Sequence, residues 1–413
     1  MSSSPSSRAR ESASRRAFLK LSAAGAATLA GLAVADAAVQ PPAKPGRKIK
    51  LGVIGCGSRG QWVSKYFQQH GGFEFHAACD YFPEVVEQFG NSFGVDKSRR
   101  FSGLSGYKRL IDSGVEAVAI ENLPYFLPEH AKAAVEAGRH VYIAKPVAVD
   151  VPGVLPFEAA GKLATQKKQC FLVDYQMTTD PVNVEIAKRI ADGALGKQLS
   201  YVISHGGAGL WPEPPASSTI ETRLHNSMWL RDVTLCGDSC VAFDIHSIDA
   251  MIWLLRQRPT AAVGHARVTR ANPQLDGRDT VSVLFECADG LIWNHLSQSL
   301  GNNCDTFLTC QLFGPTALAV VPYGGKAFIR GGAKHHVGTV ENTYEAGVQR
   351  NVAEFYKNIT QGHFENPTVR RAVDGTLTAI LGREAAYRQG RLTMDELLKE
   401  NQRLVLDVSG LKS

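Results

Sequence analysis

The stretch Ile49–Gly60, IKLGVIGCGSRG, limits the fold more than any other part of this 413-residue chain. Ile49–Ile54 is apolar and partly β-branched, the pattern of a buried strand. Gly55, Gly57 and Gly60 follow in G-x-G-x-x-G spacing and lead into a helical stretch, Gln61–His70. A second strand, Phe73–Cys79, ends on Asp80. The first glycine makes a tight turn, and the second lets backbone approach a pyrophosphate. The third lets helix and strand pack closely, and the helix N-terminus, with Ser58 and Arg59, faces the phosphates. A carboxylate at the end of the second strand accepts both ribose hydroxyls and repels a 2′-phosphate. Tyr81 and Phe82 offer no cation for such a phosphate. The order predicts a dinucleotide seat and favours NAD over NADP.

The alternation continues. Helical stretches are expected at Phe82–Gly94, Tyr107–Ser113, Pro128–Gly138 and Val154–Gln169, and strands at Val115–Glu121, His140–Ala144 and Cys170–Tyr175. Strands alternating with helices predict a doubly wound α/β domain with a parallel sheet. Loops after such strands carry ligand-facing residues, so Asn122, Pro124, Lys145 and Pro146 are expected at the nicotinamide end. The second half differs. Strand candidates lie at Leu199–His205, Ala261–Val268, Thr280–Glu286, Leu291–Gln298, Thr306–Phe313 and Ala317–Val321; several show period-two alternation, and three lie close in sequence without helices between them. An α+β domain with an open mixed or antiparallel sheet follows. One long helix is expected over Val241–Arg256, and two more at Glu345–Gln361 and Thr368–Gln389. The domain plan is a leader (1–37), a linker (38–48), a nucleotide domain (49–176), a substrate and oligomerisation domain (177–395) and a tail (396–413).

The leader reads as an export signal. Arg15 and Arg16 precede Phe18, Leu19 and Lys20, then a short Ala/Leu/Gly run and a small-residue site near Ala35–Ala37. The string resembles the twin-arginine signal, which implies passage to the periplasm of an already folded protein. The run is too short and too weakly apolar to span a bilayer, so no stable membrane insertion is expected after cleavage. Five bases and two acids in residues 1–37 supply three of the six net positive charges. No basic block is left, which speaks against nucleic acid. Cys236, Cys240 and His246 lack the spacing and second ligand pair of a zinc site, so no metal is expected.

Glycines 55, 57 and 60, Asp80, then AGRHVYIAKP (137–146), VDYQMTTDP (173–181), GALGK (193–197) and HSID (246–249) together resemble the Gfo/Idh/MocA oxidoreductases. The resemblance implies a Rossmann domain followed by an open-faced sheet, NAD-dependent chemistry on sugars, cyclitols or glycosides, and a dimer or tetramer. It implies that Lys145 hydrogen-bonds the reacting hydroxyl from a cis Lys-Pro turn. His246 is implied as the general base, Asp249 as the residue that orients it, and Gln176 as a further cofactor contact. Positive charge at Lys145 favours a developing alkoxide. An unperturbed histidine titrates near neutrality, as a base requires.

The sequence departs from that pattern. The acid before the lysine is Ala144, the acid four residues before the histidine is Ala242, and a histidine common after β-strand four is Leu127, with His130 three residues on. Asp244 is a candidate substitute if a helix begins there. His205, Trp211, His225, Trp229, Arg231 and Asp232 are candidate sugar contacts, and His335–His336 reads as exposed loop. An exported enzyme cannot draw on free NAD, so its cofactor must be held and recycled within each turnover. A sugar oxidoreductase of that kind is expected. The alternatives are an NAD-dependent glycoside hydrolase or lyase, and a non-catalytic NAD- or sugar-binding protein.

Overall fold

The computed structural model describes residues 46–208, 219–225, 230–270, 275–302, 305 and 307–413. The leader, Trp211 and Trp229 lie outside the described residues. Among the described residues no helix is long and apolar enough to cross a membrane.

The first half is a six-stranded sheet of order β3-β2-β1-β4-β5-β6, parallel throughout. Its strands are β1 (Ile49–Ile54), β2 (Phe73–Asp80), β3 (Arg100–Ser102), β4 (Ala117–Ile120), β5 (His140–Ile143) and β6 (Phe171–Val173). They alternate with α1 (Ser58–His70), α2 (Pro83–Phe93), α3 (Gly106–Asp112), α4 (Leu127–Glu136) and α5 (Val151–Gln166). All residues of β4 and β6 are buried, as strands covered on both faces require.

The second half begins with α6 (Pro181–Ala191), β7 (Tyr201–Ala208) and α7 (Ile220–Leu224). The expected single helix over Val241–Arg256 is broken. It is preceded by α8 (Val233–Cys236) and divided into α9 (Ser239–Ala242) and α10 (Ile245–Leu255). Then come β8 (Ala261–Arg267), β9 (Thr280–Glu286), β10 (Ile292–Ser299), β11 (Thr309–Phe313), β12 (Ala317–Pro322), β13 (Gly325–Gly331) and β14 (His336–Val340). They are followed by α11 (Thr343–Gln361), α12 (Pro367–Arg388), β15 (Arg391–Thr393) and α13 (Met394–Glu400). The nine strands run β14-β13-β12-β11-β7-β10-β9-β8-β15. Only the β7–β10 pair is parallel, so the sheet is mixed. His336, expected in a loop, opens β14 and pairs with Ile329.

The halves interlock. Val348, Val352, Phe355 and Ile359 of α11 join Val63 and Phe67 of α1 in the core on one face of the parallel sheet. On the other face, α12 is buried along most of its length between α5, β6 and the strands β8 and β9. Asn366 fixes this joint: its Oδ1 accepts from Phe171 N at 2.7 Å, and its Nδ2 donates to Gln169 O at 3.0 Å. The last residues also return to the first domain. Leu404 N donates to Asp150 Oδ2 at 2.7 Å, and Leu104 N donates to Lys412 O at 2.9 Å.

Candidate active site

A cavity of about 640 Å³ runs along the carboxyl ends of the parallel strands. Open α/β sheets place their ligands there. At one end lie Gly55, Gly57, Ser58, Gly60 and Asp80. Gly55 has φ +90°, and a Cβ on it would meet the Glu121 carbonyl at 2.7 Å. A Cβ on Gly60 would sit 1.9 Å from Gly55 O. Gly57 has nothing within 4 Å of its would-be Cβ, so its backbone faces the open cavity. The three glycines thus serve turn, approach and packing. Asp80 accepts from Cys56 N at 2.8 Å and from Phe82 N at 3.1 Å, which fixes the carboxylate at the rim. Burial raises this carboxyl above its usual range, against the N–H groups of Phe82 and Cys56. A backbone cradle with a fixed carboxylate one strand away fits a dinucleotide without a 2′-phosphate.

Two later segments close over this end. Tyr81 Oη donates to Glu221 Oε1 of α7 at 2.7 Å and accepts from Lys412 N at 3.2 Å. The His225 ring lies 4.8 Å from that of Phe82. His225, expected at a sugar, is therefore beside the Asp80 end.

The other end holds Asn122, Pro124, Lys145, Pro146 and His246. The Lys145–Pro146 peptide is cis. Lys145 Nζ donates to Ala242 O at 3.0 Å. The break at Phe243–Asp244 explains this bond, because it leaves Ala242 O at a helix end without a partner inside the helix. Burial lowers the lysine to about 7, with Arg59 acting in the same direction and Asp174, Glu121 and Asp244 opposing. His246, in the first turn of α10, faces Tyr323, with ring centroids 5.2 Å apart. Burial first, then Lys145 and Arg59, push its ring well below the ordinary histidine range. It is neutral at pH 7, and its Nδ1 has no hydrogen-bond partner among the described residues.

Other expected residues lie elsewhere. Asp249 does not line the cavity; it accepts from Arg371 Nε at 2.6 Å. Gln176 is buried behind the wall, where its Nε2 donates to Asp174 Oδ2 at 2.9 Å and its Oε1 accepts from Tyr323 Oη at 3.1 Å. Asp244 precedes α10, but its Oδ2 meets His295 Nε2 at 3.2 Å, in a buried chain with Ser204 and Trp293. A Cβ on Gly206 of β7 would fall 2.0 Å from Asp244 Cγ, so glycine there lets the carboxylate seat against the sheet. Asp244 is thus engaged away from the cavity. His205 is half-buried beside Thr309. Asp232 caps α8 through Leu235 N and pairs with Arg223, and Arg231 is buried. His130 does line the cavity, and burial lowers it to about 3.

The structure adds a charged cluster that pattern reading missed. Arg59 lies over Trp62 and pairs with Asp174 at 2.6 Å and Glu121 at 3.3 Å. Burial acts to lower the guanidinium, but the two carboxylates prevail and raise it. Glu121 follows β4, and its side chain is fully buried. Asp174 also accepts from Asn351 of α11 at 2.8 Å.

Residues 49–175 match the Gfo/Idh/MocA oxidoreductase family, described by its NAD-binding Rossmann fold. The match and the fold agree: residues 49–175 are similar to the NAD-binding Rossmann domain of that family. Among curated relatives, a glycosyl hydrolase family 109 protein from Shewanella pealeana is 31% identical over 110 residues, 25% of this chain and 24% of that one. A myo-inositol dehydrogenase from Streptomyces leeuwenhoekii is 27% identical over 157 residues, 38% of this chain and 45% of the other. The match thus spans less than half the length of either relative. Among solved structures, an aldose–aldose oxidoreductase from Caulobacter crescentus, complexed with glycerol, has TM-score 0.67 at 19% identity. That match covers 84% of this chain and all of the other, and it shows a shared two-domain fold.

Proposed function

We propose that this protein is an exported oxidoreductase that acts on a hydroxyl of a sugar, cyclitol or glycoside and keeps NAD bound through each turnover. The observation that carries the reading is one cavity with two kinds of end. The glycines and Asp80 form a nucleotide seat, and Lys145 and His246 face a separate reaction space. When bound, NAD supplies a hydride acceptor and, on return, a hydride donor. The chain's own part is to hold the alcohol and move its proton. His246, neutral and lining the cavity, suits a hydrogen bond to the hydroxyl. Lys145 is the stronger base of the two, because its neutral amine is populated near pH 7. It takes the hydroxyl proton in oxidation and returns it in reduction.

Export is supported by the Ser14–Lys20 string. Retention of the cofactor is supported by α7 and the Lys412 backbone, which bracket Tyr81 at the Asp80 end. The outer face of the mixed sheet exposes Tyr201, Ile292 and Leu296, which supports a homo-oligomer built across that face. The protein is to be purified without added cofactor and denatured, and the released nucleotide quantified. Near-stoichiometric NAD(H) is expected. An empty protein with weak NAD affinity would sink the closed-cycle reading.

A second reading follows from the likeness to the family 109 glycosyl hydrolase. Oxidation of a ring carbon acidifies the neighbouring C–H; a leaving group departs, water adds, and the hydride returns. Product analysis separates the two: a pair of oxidised and reduced sugars, or a cleaved glycoside with no net redox change.

A further inference from the structure

Among the buried charges beneath the reaction space are two cations, Arg59 and Lys145, and the carboxylates Glu121 and Asp174. Asp174 has its partners inside the fold: Arg59, Gln176 and Asn351. Glu121 does not. Its Oε2 meets Arg59 at a long 3.3 Å, and its buried Oε1 has no hydrogen-bond partner among the described residues. A buried carboxylate left half-paired is costly unless another positive group answers it.

Strand register supplies that group. In the parallel pair β4–β5, Ile120 stands opposite Ile143. The next residues in line are Glu121 and Ala144, and Lys145 follows. Glu121, Ala144 and Lys145 all line the same cavity. Position 144 is where the resemblance leads one to expect an acid, and the methyl of alanine leaves the neighbouring strand end to provide it. We propose that Glu121, rooted on β4, is the positioning residue that sets the charge of Lys145, in place of an acid on β5. Asp244 does not line the cavity, and its Oδ2 is turned to His295.

The electrostatics agree with the geometry. Burial raises the Glu121 carboxyl to about 8, against the charge of Arg59 and Lys145, while Asp174 adds to the rise. Lys145 lies near 7, lowered by burial and Arg59 and held up by Asp174, Glu121 and Asp244. The other titratable groups facing the pair are His246 and Tyr142, and neither carries charge at neutral pH. Both groups therefore change protonation near the neutral range, where the lysine must take and return a proton, and the charge of each acts on the other.

The inference rests on the proposed role of Lys145, but its test does not need turnover. Competitive acetylation of the intact protein, read lysine by lysine in a mass spectrometer across the neutral pH range, gives the titration midpoint of Lys145. Glu121→Gln preserves shape and removes the ionisable carboxyl, and with it any negative charge that position can carry. The midpoint is expected to fall by about one unit, the effect of losing a close opposite charge. Glu121→Asp keeps the charge and is expected to restore most of the midpoint. The pH profile of sugar oxidation is expected to shift with it, in kcat rather than KM. An unchanged midpoint in Glu121→Gln overturns the proposal. Equal falls in the Gln and Asp variants would mark a packing role and also overturn it. A wild-type protein without NAD or turnover would sink the preceding functional reading and leave this midpoint test standing.

Discussion

At the Asp80 end the chain prepares its ligand site mainly with backbone. Three glycines, a helix N-terminus and one carboxylate pinned by two N–H groups do the work, and all lie within 32 residues. At the Lys145 end the site is made of side chains from α1, the ends of β4, β5 and β6, the helix break before α10, and α11. The backbone end needs only local order to form. The side-chain end exists only when segments 177 residues apart in sequence have met. A backbone cradle recognises a ligand shape common to many enzymes. A convergent charge cluster adjusts the proton chemistry of one.

If the two ends divide binding and chemistry in this way, their variants separate. Lys145→Ala is expected to lower kcat about a thousand-fold, the scale of a lost general acid–base group. Nucleotide content measured after denaturation stays as in wild type. Asp80→Ala is the converse. Losing a carboxylate that accepts ribose hydroxyls and two N–H groups weakens NAD retention roughly 10- to 100-fold. This is read as the rate of nucleotide loss on dilution, with kcat at saturating NAD little changed. If Asp80→Ala removed turnover at saturating NAD as well, the division would fail.

The pH dependence sharpens the same contrast. Lys145 has its midpoint lowered to about 7, so it is charged below and neutral above. Single-turnover oxidation of bound substrate needs the neutral amine, so its rate rises as pH passes 7, about tenfold per unit on the acid side. The return reduction needs the ammonium form and falls over the same range. Stopped-flow absorbance of the reduced cofactor reads both directions. The smallest effect is expected from Tyr81→Phe. It removes one hydroxyl that links Glu221 and the Lys412 backbone, worth roughly 0.5–1.5 kcal/mol, and speeds NAD loss several-fold.

The backbone end was legible in the sequence because its parts are local: strand, glycine spacing, strand, acid. Lys145 and His246 were legible through resemblance, and both reach the cavity. Glu121 was not, although it was placed at the end of a strand. Nothing in its neighbours says that it turns toward Arg59, since that contact spans 62 residues. Asp174 stood inside a quoted motif, but its partner Asn351 comes from another domain. The break at Phe243–Asp244 escaped because residues 241–256 are apolar enough for one continuous helix. Phe243 and Asp244 keep helical backbone angles, but the ladder is interrupted there and the Asp244 side chain is turned to His295. β13 and β14 were missed because their glycines and exposed positions weaken the alternation, and only pairing across the sheet defines them.

The interlocking of α11 with α1 has a consequence in time. The nucleotide-binding sheet is complete in the chain by residue 175, yet the face packed by α1 stays only partly covered until Val348–Ile359 arrives. At ordinary elongation rates, roughly 5–20 residues per second, that is a wait of about 10–40 s on the ribosome. During that interval the nascent domain exposes an apolar surface fit for a chaperone and lacks the Asn351 support of its charged cluster. The site that would hold NAD is thus finished only with the whole polypeptide, and not in the growing one.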